Sequence, residues 1–257
     1  MRDILVNKKK GEKVVIPIDK IDWSRIGYSK RPEYITRAIE LARDIEKNWD
    51  SKNTSLQNFL CNTTEVNTYD FNHDILFFPS NLDISNVTTM ENCFAGCEYL
   101  GYIPKLNSIN CKNFQCAFFM CFGLKRIEEI SFRSMGNIGN YPLTGEFGLF
   151  DFIGSDGYST GKYINTSCRF MLIKDIGTNS ACRCLMFCDN KVWGINSTDI
   201  PDAKQSLIDS LLTYSYDRRA AGYSDCKIIL YKDVMDVLGE SEKSAIQDKG
   251  YNLIWVN

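Results

Sequence analysis

The chain has 257 residues, enough for one repeat stack or two small domains. Hydrophobic content of 44% and charged content of 24% are those of a folded protein, not of a disordered one. A formal net charge of −2 offers no global field to draw the chain to nucleic acid or anionic lipid, and no apolar run approaches the roughly 18 residues of a membrane span.

The first residues, Met1-Arg-Asp-Ile-Leu-Val-Asn-Lys-Lys-Lys-Gly-Glu-Lys13, hold no apolar segment of secretion-signal type. The expectation is a protein that folds inside the cell that makes it. Lys8-Lys9-Lys10 reads as a solvated turn. Residues 1–28 are a short β-rich lead-in, with strand character in Lys13-Val-Val-Ile-Pro-Ile18 and Pro17 marking an edge or a strand end.

Helical spacing of Ile35, Ala38, Ile39, Ala42, Ile45 and Trp49 predicts an amphipathic helix, with Pro32 near its first turn. One stripe of that helix is expected to cover the open end of a repeat stack beginning near residue 51, making residues 1–50 a cap or docking segment.

Residues 51–200 are dominated by a degenerate repeat. Asn86-Val-Thr-Thr-Met-Glu-Asn-Cys93-Phe94-Ala-Gly-Cys97-Glu-Tyr-Leu100 is echoed 24 positions on, with Phe118, Cys121 and Leu124 matching Phe94, Cys97 and Leu100. A period of roughly 20–29 residues with apolar anchors is the signature of leucine-rich repeats. A worn earlier unit places Leu60, Thr63 and Val66 at the same phases. It leads through Asp74-Ile-Leu-Phe-Phe78 to an expected strand at Leu82-Asp-Ile84.

After Leu124 the spacing breaks. The stretch at about 133–163 carries seven glycines among Phe147, Phe150, Phe152, Tyr158 and Tyr163. It reads as an insertion. Its rings either pack back on the repeats or form a contact surface for another chain, because aromatics are favoured at interfaces. The repeat is expected to resume at Gly177, with Leu185 in the place of Phe118 and Cys188 in that of Cys121.

From Pro201 the pattern changes. Leu207, Ile208, Leu211 and Leu212 share a helical face, and Cys226–Tyr231 and Tyr251–Val256 read as strands. Short helices at 233–238 and 241–249 lie between them, the second closed by Gly250. Residues 201–257 are therefore expected to form a mixed α/β C-terminal cap.

Leu82-Asp-Ile-Ser-Asn-Val-Thr-Thr-Met-Glu-Asn-Cys-Phe-Ala-Gly-Cys-Glu-Tyr-Leu100 resembles the BspA-like leucine-rich repeats of bacterial surface proteins. That family's unit runs Leu-Asp-x-Ser-Asn-Val-Thr-x-Met-x-x-Met-Phe-x-x-Cys-x-x-Leu. The later units are looser, and Lys191 breaks the last Leu position. Residues 207–215 and 245–251 also look like the cap of such proteins in gut Bacteroidetes and their phages. The resemblance covers about residues 54–124 and 177–257. It implies an α/β fold built as an irregular leucine-rich-repeat solenoid and used for adhesion or protein binding.

Chemistry is sparsely signalled. The single histidine, His73, lies in a polar turn, and no GxSxG elbow or comparable motif supports nucleophilic catalysis. Gly154–Gly161 lacks the Gly-Lys-Ser/Thr ending of a phosphate loop. Eleven cysteines without a signal segment are expected to be reduced core residues, since free cysteine is among the most buried types. Cys182-Arg-Cys184 does not have zinc-finger spacing. No cofactor or metal is expected.

The function expected is non-enzymatic protein binding. An unsignalled chain suits a phage virion component (tail, fibre or capsid-decorating), because virions assemble in the cytoplasm and leave by lysis. The expected partners are virion neighbours, a copy of itself or a host surface receptor. The alternative is a bacterial cell-surface adhesin whose signal has been removed; a third reading makes the insertion the lid of an enzyme.

Overall fold

The computed structural model describes residues 4–7, 13–16, 30–61, 63–65, 68–69, 74–80, 82–114, 117–118, 121, 123–124, 126–134, 170–178, 184–186 and 203–256. They form small parallel sheets with few helices. The N-terminal pair β1 (Ile4–Asn7) and β2 (Lys13–Ile16) is an antiparallel hairpin. β2 ends one residue before Pro17, which has no N–H to continue the ladder.

Helix α1 (Arg31–Asn48) carries Pro32 in its first turn. Its stripe of Ala38, Ile39 and Ala42 is buried against Leu76 and Phe77. Leu41, Ile45 and Trp49 pack on the main core from a neighbouring face. Two polar contacts fix the helix in place. Trp49 Nε1 donates to the Asp83 carbonyl at 2.9 Å, and Arg37 pairs with Asp74 at 3.1 Å.

Beyond α1, successive turns of chain lie side by side. One column of parallel bridges joins Ser55, Thr89 and Asn113. The main chain repeats the same bonds along it: Leu56 N–H to Thr89 O (2.9 Å), then Met90 N–H to Asn113 O (2.7 Å). Leu60 N–H to Cys93 O and Phe94 N–H to Ala117 O, both 2.9 Å, form a second tier. Another column runs from Phe77 to Tyr102 and continues as a parallel sheet of β5 (Tyr102–Leu106), β6 (Arg126–Ser131) and β7 (Phe170–Lys174).

The space between the columns is filled by apolar side chains at matching phases. Phe94 and Phe118 are fully buried with ring centroids 5.3 Å apart and planes within 6°. Phe78 meets Phe94 edge-on at 5.1 Å. Ile103, Ile127, Ile130 and Ile173 line the same interior from the sheet. Each buried side chain of this size contributes about 1.5–3 kcal/mol of transfer free energy.

Two expectations of local structure fail for physical reasons. Leu82-Asp-Ile84 is not a strand: Asp83 Oδ1 accepts the Ser85 N–H at 3.0 Å, and Val87 N–H bonds to Ile84 O. The aspartate closes a local turn that competes with extension. The worn first unit matches as far as Leu60. Thr63 then enters β3 (Thr63–Glu65), which pairs antiparallel with β4 (Thr68–Tyr69). β-Branched Thr63 and Thr64 suit this short hairpin.

The C-terminal part comprises β8 (Cys184–Met186), α2 (Ala203–Ile208), a π turn at Asp209–Thr213, β9 (Cys226–Tyr231), α3 (Lys232–Met235), α4 (Glu240–Asp248) and β10 (Tyr251–Val256). Its sheet has the order β10-β9-β8, all parallel. Gly250, at φ +92°, turns the chain from α4 into β10.

The unit expected to resume at Gly177 takes a different course. Leu185 corresponds in sequence to Phe118, which stands in a turn. Cys184–Met186 instead forms β8, whose three residues pair with Lys227–Ile229 at the open side of β9. Cys188 lies outside the described residues.

The C-terminal part is bonded to the exit of β7. Ser210 Oγ accepts the Ile173 N–H at 3.0 Å and donates to Ser206 O at 2.6 Å. Asp175 N–H bonds to Tyr214 O and Tyr216 N–H to Ile176 O. The buried Tyr251 hydroxyl lies 2.6 Å from Ile176 O and 2.8 Å from Tyr216 O. Leu207, Leu211, Ile228 and Ile246 share one continuous core with Leu56 through Ile176.

Candidate protein-contact surface

The stacked turns are joined by two kinds of side-chain bond, one polar and exposed, the other buried. On the outer flank, Asn86 Nδ2 donates to Ser51 O at 2.9 Å, Asn110 Nδ2 to Ser85 O at 2.7 Å, and Ser134 Oγ to Ile109 O at 2.6 Å. These three donors stand 24 positions apart in sequence, each reaching the preceding turn. Asn86 was legible as part of the repeat; Ser134 was not, because its neighbours no longer follow the pattern.

Inside, Cys97 Sγ donates to Leu60 O at 3.5 Å and Cys121 Sγ to Phe94 O at 3.1 Å. Burial pushes the thiols of Cys93, Cys97 and Cys121 well up and that of Cys111 up to about 12. They stay protonated, and so remain donors instead of nucleophiles. Cys61, Cys93, Cys97, Cys111, Cys121 and Cys226 form no disulfide. Among the described residues no group of three or more His, Cys, Asp or Glu could hold a metal ion.

The sequence-level contact candidates Phe147, Phe150, Phe152, Tyr158 and Tyr163 lie outside the described residues, as do His73 and Gly154–Gly161. The point from which their segment springs is described. Between β6 and β7 lie 38 residues, against 19 between β5 and β6 (170 − 131 − 1 and 126 − 106 − 1). The two roots of the longer connection are bonded together. Phe132 N–H donates to Lys174 O at 2.9 Å, Ser131 Oγ to Asp175 Oδ2 at 2.6 Å, and Thr178 Oγ1 to Arg133 O.

This neck carries exposed aromatic surface. Tyr214 and Tyr216 are each 39% exposed, and their main-chain groups are the ones bonded to Asp175 and Ile176. Lys174 Nζ stands 5.0 Å from the Tyr214 ring centroid, and Tyr216 lies 6.0 Å from Tyr223. Along the sheet, Glu129 joins Lys105 at 3.7 Å and Lys174 at 2.9 Å. The result is amphipathic tyrosine surface edged by paired charge, a glutamate between two lysines, a composition suited to protein contact. Sequence reading missed these tyrosines because Tyr214 and Tyr216 follow the apolar stripe of α2 without a pattern of their own.

Comparison of the chain with protein-family models, with curated proteins and with solved structures found no match in any of the three. Among the described residues no helix is long and apolar enough to cross a membrane.

Proposed function

We propose that the chain is a non-enzymatic leucine-rich-repeat protein of BspA-like type that works by protein–protein contact as a component of a phage virion. The observation that supports this most is the phase-matched stacking of Leu60, Phe94 and Phe118. Leu60 N–H bonds to Cys93 O, Phe94 N–H to Ala117 O, and the two phenylalanine rings lie face to face. Repeats that stack in this way bury their apolar anchors and leave their flanks to form extended binding surface. The connection between β6 and β7, with Tyr214 and Tyr216 at its neck, supplies the contact.

Mass spectrometry of gradient-purified particles, together with gold labelling of the intact protein, tests the virion assignment. The chain should be present at stoichiometric level and accessible on the particle. Its absence from purified particles would contradict the assignment, and recovery from a bacterial outer surface would favour the adhesin.

A further inference from the structure

The C-terminal sheet ends on β10, and among the described residues no strand lies beyond it. A strand edge presents a row of main-chain N–H and C=O groups, and another strand is what pairs with such a row. Natural edges are shielded by charge, proline, a bulge or a covering segment. β10 reads Tyr-Asn-Leu-Ile-Trp-Val, without charge or proline. Its register with β9 runs unbroken over all six residues, without a bulge. The edge at β7 is treated differently: Ser210 takes its Ile173 N–H, and Tyr214 and Tyr216 continue the bonding.

The side chains follow the same logic. Tyr251 is buried and Leu253 packs on the core, but Trp255, on that same face, is 52% exposed. Ile254, on the opposite face, is 37% exposed. Apolar surface is therefore open on both faces of one strand end, beside an edge that no strand among the described residues pairs.

We propose that β10 is a self-association edge, on which a second copy of this chain pairs its own β10 antiparallel about a two-fold axis. The two three-stranded sheets become one of six strands. Residues directly opposite in an antiparallel pair must point to the same side, so the axis passes through a residue and not between two. Centring on Ile254 sets it against the partner's Ile254 and sets Leu253 against the partner's Trp255. Centring on Leu253 instead places Ile254 opposite polar Asn252. The first register matches apolar groups on both faces at its central pairs and moves Asn252 to its ends, opposite Val256; a net charge of −2 per copy opposes it only weakly. This contact is separate from the neck of the β6–β7 connection and does not depend on the proposed function.

The test is sedimentation of the full chain over a concentration series from low to high micromolar, for wild type, Ile254→Lys, Ile254→Glu and an equimolar mixture of the two variants. Wild type should dimerise. Each variant alone should dimerise about tenfold more weakly or less, because like charges meet across the axis. The mixture should recover the dimer, a result that misfolding cannot produce. A wild type that stays monomeric, a dimer untouched by Ile254→Lys, or a mixture no stronger than its components overturns the proposal. The last two outcomes would point to a strand from another protein, or to nothing, at this edge.

Discussion

The Cys121 thiol donates to the Phe94 carbonyl at 3.1 Å, one turn back in the stack. Cys97 does the same to Leu60. A cysteine at this phase is thus a small apolar residue that also brings a donor to a buried main-chain carbonyl. Removing the Cys121 thiol leaves the Phe94 carbonyl with the Cys97 N–H alone, bonded at 3.0 Å, at a cost of about 0.5–1.5 kcal/mol. Cys121→Ala should lower the unfolding free energy by that order, and Cys121→Ser, which restores a donor, should lose less. Chemical denaturation of the three proteins checks it; equal losses for Ala and Ser would show that the thiol acts by volume alone.

The raised thiol pKa values give a pH dependence. Folded Cys111 holds its proton to about 12, whereas its ordinary value is 9.0. Above pH 9 the unfolded chain therefore binds fewer protons than the folded one, and stability falls as pH rises toward 12. Cys93, Cys97 and Cys121 shift in the same direction. Melting temperature should decline across this alkaline window, and a variant with Cys111→Ala should decline less. A wild-type melting temperature unchanged through the window would be inconsistent with buried thiols.

Phe94 and Phe118 are each fully buried and stacked on one another. Truncation of either to Ala should cost about 3–5 kcal/mol. Because the rings touch, the double variant should fall short of additivity by about 0.5–1.5 kcal/mol. Strict additivity in a double-mutant cycle would place the rings apart.

Gly177 has φ +81°, and a Cβ there would lie 2.2 Å from the Tyr251 hydroxyl. The neighbouring Arg218 is buried, donating from Nη1 to Gly177 O at 2.7 Å and from Nε and Nη2 to Ser224 O. Gly177→Ala should therefore loosen the joint between β7 and the C-terminal part, destabilising by more than about 1 kcal/mol. Hydrogen exchange should quicken at Asp175 and Tyr216 and remain slow at Phe94. Uniform acceleration would mean that the joint is no separate unit.

The sequence was most readable where one side chain's identity follows from one local rule. The helix stripe at Ala38, Ile39 and Ala42, the Phe94–Phe118 correspondence, the strands at 226–231 and 251–256 and the turn at Gly250 are of this kind. Partner choice between distant segments was not readable. Cys184–Met186 carries repeat-like residues, yet its strand is decided by the open side of β9, more than 40 residues on. The π turn at Asp209–Thr213 adds one residue per turn, too small a change to disturb the stripe of Leu207 and Leu211. Arg218 was invisible because its partners are main-chain carbonyls, which leave no trace in composition. The contact candidates from Phe147 to Tyr163 came from composition alone; Tyr214 and Tyr216 emerged from geometry.

The central claim is that this protein works by contact through the connection between β6 and β7. Deleting residues 144–162 tests it most directly, with melting temperature and association with purified particles measured on the same protein. The bonds that close the neck, from Ser131, Phe132 and Arg133 to Lys174, Asp175 and Thr178, all lie outside the deletion. The melting temperature should stay within a few degrees of wild type while association is lost. Unchanged association, whether or not stability falls, would contradict it.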